Sequence, residues 1–327
     1  MLLAADIGGT KTLIGLFDRG RDRPVPTVTR EYVTLDFESF EELVNTFLEE
    51  TGAKEIEALC AGIAGPVVGQ VARLTSAAWV ADIGAVARRI GNCPADLVND
   101  LQAMAAAIPV LGRDEICVLQ EGVARADGNA AILAAGTGMG QGLLHNVNDA
   151  FVPIASEGGH ADFAARTPRE LALVEELTRI HGRVEVEEVL SGRGFVNLFR
   201  FTHRSADAST KCPILARDLD DDEIAPAASA SALERRCPHC VEALEMFVEA
   251  YGAEAGNLGL RAMATAGVYI GGGIAPKILA ALEDGRFMDA FLSKAPMVDL
   301  LRTLPVKVIT NPAAALLGAA VIAATLE

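Results

Sequence analysis

The stretch Leu2-Leu3-Ala4-Ala5-Asp6-Ile7-Gly8-Gly9-Thr10-Lys11 decides the fold, because an apolar run breaks there into a glycine pair, a hydroxyl and a cation before a second apolar run at residues 12–17. The pattern predicts a short buried strand, a turn, and a second strand folded back on the first. Gly8 and Gly9 carry no Cβ, so positive φ is open to them and their N–H groups can approach an anion, while Thr10 and Lys11 add a hydroxyl and a cation. Phosphate is the expected anion. Asp6, near the end of the strand, would repel that phosphate unless a divalent cation or its waters stood between them, so it is read as a carboxylate on the Mg²⁺ side. A tight hairpin whose aspartate caps its own turn is the alternative for this stretch alone.

The chain has 327 residues, more than one hydrophobic core usually serves, so two domains with a cleft between them are expected. A net charge of −16 leaves no basic face for nucleic acid or an anionic membrane. Phosphate must then be held locally, by backbone N–H groups, Mg²⁺ and a few cations. Asp6 and the glycines interrupt the first apolar run before it can serve as a signal peptide, and a cytoplasmic protein is expected. The longest uncharged apolar segment, 312–326, is short and Ala-rich and fits a buried helix. Six scattered cysteines form no disulfide framework. Cys237-Pro238-His239-Cys240 has the spacing of a redox dithiol, but it precedes a long helical pattern at 241–265 and lacks a thioredoxin-like context. Metal binding is not expected there, because no second Cys/His pair completes four ligands.

Along the chain, residues 31–35 predict a third strand, and Phe40, Leu43, Val44, Phe47 and Leu48 recur at helical spacing. Residues 58–66 form a small-residue strand ending in a Gly-Pro turn, and 83–90 a short helix. Residues 97–100 end another strand directly before a helix, which puts Asn99 and Asp100 where polar side chains face a cleft. An aspartate capping the helix is an equal reading of that position. A hinge at 109–113 leads to residues 130–144, where strand, Gly136-Thr137-Gly138 turn and strand repeat the opening pattern with Ala135 in place of an acid. This second turn can donate N–H and hydroxyl groups to phosphate without a metal, and two facing turns would clamp a triphosphate.

Glu157-Gly158-Gly159-His160 sets a carboxylate and an imidazole two glycines apart, a pair suited to the hydroxyls of a sugar. An incidental pair on a surface loop is the alternative. Glu185, Glu187 and Glu188 are three further acceptors among which local pattern does not choose. Residues 205–226 predict a surface loop or short irregular helix, and 305–310 a last strand before a closing helix begun at Asn311-Pro312. Gly271-Gly272-Gly273, ending the strand from Gly267, leaves room for a flat adenine and ribose against backbone, or for close strand–helix packing.

These motifs occur in an order that resembles the bacterial glucokinases of the hexokinase, actin and Hsp70 ATPase superfamily nearly end to end: Asp6-Ile7-Gly8-Gly9-Thr10, Asn99-Asp100, Gly136-Thr137-Gly138, Glu157-Gly158-Gly159-His160, Glu187-Glu188-Val189-Leu190-Ser191-Gly192, and Gly271-Gly272-Gly273-Ile274-Ala275-Pro276. The resemblance implies an α/β fold of two ribonuclease-H-like, actin-like ATPase lobes around a central cleft. The lobes would be 1–110 plus 312–327, and 111–311. It implies ATP and Mg²⁺, with nucleotide against Ala5, Asp6, Ile7, Gly8, Gly9 and Thr10, against Gly136, Thr137 and Gly138, and against Gly271, Gly272 and Gly273. Asp6 would hold Mg²⁺ through metal-bound water. Glucose would be held by Asn99, Asp100, Glu157, His160 and Glu187, with Asp100 as the base that frees the 6-hydroxyl for phosphorylation.

Two positions depart from the family pattern: Ser76-Ala77 stands where Asn-His is common before Trp79, and Lys11 where many members have Asn. No cysteine-rich zinc motif follows His160, which places the resemblance with the non-zinc group. By analogy the protein is a homodimer serving the entry step of glycolysis. The rivals are a kinase of another hexose or an N-acyl amino sugar, a sugar-sensing regulator, for which no helix-turn-helix precedes Leu2, and an actin-like assembly protein, which would not need the Glu157/His160 pair.

Overall fold

In the computed structural model, which describes residues 1–65, 67–74, 79–147, 150–204, 212–215 and 217–327, the opening stretch forms strand β1 (Leu2–Ile7) hairpinned to β2 (Lys11–Asp18). Apart from Asp6, β1 is apolar because both its faces are covered. Leu3, Ala5 and Ile7 join Phe40, Leu43, Val44 and Phe47 in one cluster, and Leu2 and Ala4 join Ala58, Cys60 and Ala103 in another. Asp6 falls on the second face by the period of two.

The chain continues through β3 (Val25–Val33), α1 (Phe40–Thr51), β4 (Ala58–Ile63), a small ribbon of β5 (Val67–Val68), β6 (Val71–Arg73) and β7 (Val80–Asp82), then α2 (Ile83–Arg89), β8 (Ala95–Asn99) and α3 (Asp100–Ala107). The main sheet has the order β3-β2-β1-β4-β8, with β4 and β8 parallel to β1. The third strand starts earlier than residue 31 and stops at Val33, where Thr34–Asp36 winds into a 3₁₀ turn. That turn is held by the first glycine turn: the Thr34 N–H donates to Thr10 O at 3.0 Å and its hydroxyl to Gly8 O at 2.8 Å.

The next elements are β9 (Ile116–Gln120), β10 (Ala130–Ala135), β11 (Met139–Val147), β12 (Ala150–Ser156), α4 (Pro168–His181), α5 (Gly192–His203), α6 (Asp221–Leu233), α7 (Pro238–Ala262), β13 (Gly267–Gly271), α8 (Leu279–Leu282), α9 (Arg286–Leu292), α10 (Val298–Thr303) and β14 (Val306–Ile309). Their sheet runs β12-β11-β10-β13-β14-β9. The first five strands repeat the order of the first sheet, third-second-first-fourth-fifth, so the duplicated strand–turn–strand pattern is matched by a duplicated topology. Of 205–226, residues 212–215 and 217–220 are turn and loop as expected, and 221–226 belong to a regular helix. A capping box between Asp220 and Glu223 starts α6, and Cys212 and Ile214 are buried. Residues 205–211 and 216 lie outside the described residues, as do Pro66, Thr75 and the Ser76-Ala77 pair.

The closing helix, α11 (Ala314–Ala323), begins two residues beyond Pro312, after Asn311 Oδ1 accepts the Ala313 N–H at 2.8 Å. It buries Leu316, Ala319, Ala320 and Ala323 against the Leu2/Ala4 face of the first sheet. The chain thus divides into one unit of Met1–Glu115, Pro153–Ala155 and Asn311–Glu327, and another of Ile116–Val152 and Ser156–Thr310. No helix among the described residues is long and apolar enough to cross a membrane.

Candidate active site

In the first unit, strand register does the positioning. Asp6 of β1 lies beside Gly62 of β4, and Gly62 beside Val98 of β8, two residues before Asp100 opens α3. Only a glycine therefore separates Asp6 from the start of that helix. A Cβ on Gly62 would stand 2.8 Å from Ala103 Cβ and 3.5 Å from Asp100 Cα, so the missing side chain is what lets α3 settle this close. The electrostatic result is a carboxyl at Asp6 pushed up to about 7, first by burial and then by the charge of Asp100. A carboxyl raised mainly by burial, with a second acidic group nearby, suits a divalent cation, and hard oxygen ligands of this kind are those Mg²⁺ takes.

Asp100 is not the helix cap that its position allowed. Asn99 is: its Oδ1 accepts the Leu101 N–H at 3.0 Å, and Gln102 Oε1 accepts the Asn99 N–H at 3.0 Å, a capping box. Asn99 Nδ2 donates to Gly65 O at 3.3 Å. Asp100 Oδ1 accepts the adjacent Leu101 N–H at 2.9 Å, which orients its carboxylate while Asn99 completes the cap.

The first glycine turn differs from its expected geometry in two ways. Neither Gly8 nor Gly9 takes positive φ. Gly8 is required because its N–H donates to Lys11 O at 3.0 Å, and a Cβ would stand 2.9 Å from that oxygen. Lys11 does not point at an anion over the turn, because its Nζ pairs with Glu31 across the β2–β3 ladder. Thr10 is exposed. Thr12 and Thr34, buried and joined hydroxyl to hydroxyl at 3.0 Å, brace the turn from behind.

In the second unit the Gly136-Thr137-Gly138 turn joins β10 to β11, again without positive φ. Gly136 N–H donates to Gly138 O at 2.9 Å, and Gly136 O accepts the Gly192 N–H at 2.8 Å from the start of α5. No described atom lies within 4 Å of a Cβ built on Gly136. The carboxylate of Glu187 lies under the turn: Oε2 accepts the Met139 N–H at 2.9 Å, and a Cβ on Gly138 would approach it to 2.6 Å. Tyr251, fully buried, places its hydroxyl at 3.3 Å from Ala135 N, Leu133 O and Gly271 O, tying the ends of β10 and β13 together. Gly272 has φ of +83°, and a Cβ there would meet Ala135 O at 2.3 Å. Close backbone packing is thus its requirement, with β10 as the neighbour; Gly271 is buried and Gly273 exposed.

His160 sits on a 3₁₀ turn, Gly158–His160, with Nδ1 3.0 Å from Glu185 Oε1 and Nε2 4.0 Å from Glu157 Oε2. Glu185 is held from the other side by Arg183 at 2.8 Å. Ligand atoms of His160, Glu185 and Glu187 lie within 4.8 Å of one another, so of the three glutamates left open by the sequence, 185 and 187 come to the imidazole. Glu188 turns to Arg193 at 3.0 Å and Asn197 at 3.0 Å instead. The Glu185 hydrogen bond above all raises the His160 pKa, with Glu187 and Glu157 adding to it and burial opposing. Glu157 itself is exposed. Beneath the loop, Gln141 is buried and donates to Glu254 at 3.0 Å, and a Cβ on Gly158 would stand 2.5 Å from Gln141 Oε1. Thr34, Gly62, Gln141, Glu185 and Tyr251 carried no motif, since each acts through a neighbour distant in sequence.

Residues 3–326 match the family model described as glucokinase. A glucokinase of Nostoc punctiforme is 37% identical over 340 residues, which is 100% of this chain and 99% of that one. The crystal structure of glucokinase from an Antarctic psychrotroph gives a TM-score of 0.84 at 29% identity and covers 98% of both chains. That of glucokinase from Balamuthia mandrillaris in complex with glucose gives 0.79 at 19% identity over 99% of this chain and 93% of that one, a likeness of fold. With the two Gly/Thr turns, the paired aspartates and the His160 loop on one continuous match, the chain belongs to the glucokinase family, as an enzyme that phosphorylates glucose with ATP.

Proposed function

We propose that Asp100 is the base of this reaction, accepting the proton of the glucose 6-hydroxyl as its oxygen bonds the γ-phosphorus of ATP and the bond to ADP breaks. The observation that carries this reading is the Asp6–Gly62–Asp100 arrangement, where a strand-end carboxylate and a helix-start carboxylate are held close over a glycine. Asn99, Asp100, Glu157, His160 and Glu187 hold the sugar. With its Nδ1 donating to Glu185, His160 presents Nε2 to a sugar hydroxyl, as an acceptor when the ring is neutral and as a donor when it is protonated. Ala5, Asp6, Ile7, Gly8, Gly9 and Thr10, with Gly136, Thr137 and Gly138, orient the phosphates, and Gly271, Gly272 and Gly273 take the adenosine. Asp6 holds Mg²⁺ through water, and the ion supplies charge neutralisation of the transferring phosphoryl group.

The functional division is 1–110 with 312–327 and 111–311. The working form is a cytoplasmic homodimer feeding glycolysis. A coupled ADP-release assay with Mg·ATP and glucose, mannose, fructose, N-acetylglucosamine or no sugar tests the reading. Turnover confined to glucose is expected; turnover with another hexose in preference to glucose would overturn the sugar assignment, and sugar-independent turnover the whole site.

A further inference from the structure

Four side chains far from this site converge in the second unit. His203, Cys212, Cys237 and Cys240 are all buried, and one ligand atom of each lies within 4.8 Å of those of the others. They come from separate pieces of structure: His203 is the last residue of α5, Cys212 lies beyond it, Cys237 precedes α7, and Cys240 stands in the first turn of α7. His203 Nε2 is 3.4 Å from Cys237 Sγ, and Cys212 Sγ is 3.8 Å from Cys240 Sγ. A tetrahedral ion with bonds of about 2.3 Å to sulfur and about 2.0–2.1 Å to nitrogen sets its ligands about 3.8 Å apart for two sulfurs and about 3.5 Å for sulfur and nitrogen. The two measured edges match those lengths. A disulfide does not, because its sulfurs stand only about 2.05 Å apart.

The surroundings also suit a metal. His203 Nδ1 is 2.8 Å from Phe199 O, and a carbonyl can only accept, so Nδ1 carries the proton and Nε2 presents its lone pair to the sulfurs. That is the tautomer a metal needs, oriented by a backbone oxygen as ligating imidazoles usually are. Ser231 of α6 is 3% exposed, its hydroxyl oxygen has no geometric hydrogen-bond partner among the described residues, and it stands beside Cys240, where that hydroxyl could donate to a thiolate. All six cysteines of the chain are free thiols.

We propose that His203, Cys212, Cys237 and Cys240 form a structural zinc site of the Cys₃His type. Four protein ligands fill a tetrahedron, so the site is closed and performs no chemistry on substrate. Binding exchanges the thiol protons, released to solvent, for bonds from three thiolates and one neutral imidazole. The ion ties the end of α5 and the segment after it to the start of α7. The sequence showed only the Cys237/Cys240 half, because the other two ligands stand 34 and 28 residues upstream at an irregular spacing.

The test is cobalt substitution of the full-length protein, stripped of metal by chelator under reducing conditions. About one Co²⁺ per chain is expected to bind, giving the intense visible bands of tetrahedral cobalt with a sulfur-to-metal charge-transfer band, and Zn²⁺ displaces it. Cys212→Ser and Cys240→Ser should each weaken binding at least tenfold, and Cys93→Ser, outside the cluster, should leave it unchanged. A wild-type protein that takes up no tetrahedral cobalt overturns the proposal whatever the variants do. So does a spectrum that survives in both cluster variants, or a disulfide found among these cysteines in protein alkylated under the same conditions.

Discussion

At the scale of single residues, the two aspartates of the first unit carry opposite demands. Asp100 Oδ1 accepts the adjacent Leu101 N–H while Asn99, not Asp100, supplies the side-chain cap of α3. Asp100→Asn should lower kcat by about 10²- to 10⁴-fold with a small change in the KM for glucose, read by steady-state ADP release; near wild-type turnover would overturn the assignment. Asp6 is different, because the fold holds it where its charged form is disfavoured. Its folded pKa, about 7, lies above the ordinary 3.8, so between those values the native state keeps a proton that the unfolded chain has lost. In metal-free buffer its contribution to stability therefore falls as pH rises through that window and levels off above it. The loss is up to about 4 kcal/mol at 1.36 kcal/mol per unit. Urea unfolding across the pH range should show this slope in the wild type and a shallower one in Asp6→Asn; parallel curves would show that Asp6 is not the group responsible.

At the scale of elements, the site depends on how closely α3 packs, and two glycines set that distance. A Cβ at Gly62 would press on Ala103 Cβ, and one at Gly318 of α11 would stand 1.6 Å from Ala103 O. Gly62→Ala should cost about 1–3 kcal/mol and lower kcat more than it raises the KM for ATP, because the displaced helix carries Asp100 with it. Gly318→Ala leaves the sheet untouched but cannot be accommodated without separating α3 from α11. Its cost should exceed about 3 kcal/mol in denaturant unfolding. A neutral result at either position would mean that α3 is free to move, and the fixed placement of Asp100 would then need another explanation.

For the molecule as a whole, ligand binding and stability are one equilibrium. Glucose at a hundredfold its Kd should stabilise the folded chain by about 2.7 kcal/mol, seen as a rise in melting temperature that saturates with sugar concentration. Glu157→Gln should shift that titration to higher glucose with little change in the melting temperature in its absence, because Glu157 is exposed and its carboxylate meets His160, itself exposed, at 4.0 Å. A shift of the sugar-free melting temperature would reassign Glu157 to structure.

What the sequence by itself determined is whatever rests on local pattern. The buried β1 run, the two Gly/Thr turns, the helix after Asn99 and the apolar closing helix could be read because period, glycine placement and capping chemistry act within a few residues. The tertiary structure decided what depends on partners remote in the chain. Gly8 and Gly138 are needed for close approach and not for positive φ, since Lys11 O and the Glu187 carboxylate occupy the space a Cβ would take. Lys11 is turned to Glu31 by the β2–β3 register, and Glu185 is brought to His160 where spacing alone gave three equal glutamates. The cysteine pair at the start of α7 gained two more ligands only when the chain folded. Local pattern reports how a residue sits on its own strand or helix; which charge, carbonyl or sulfur it meets is settled by packing between elements that the pattern does not relate.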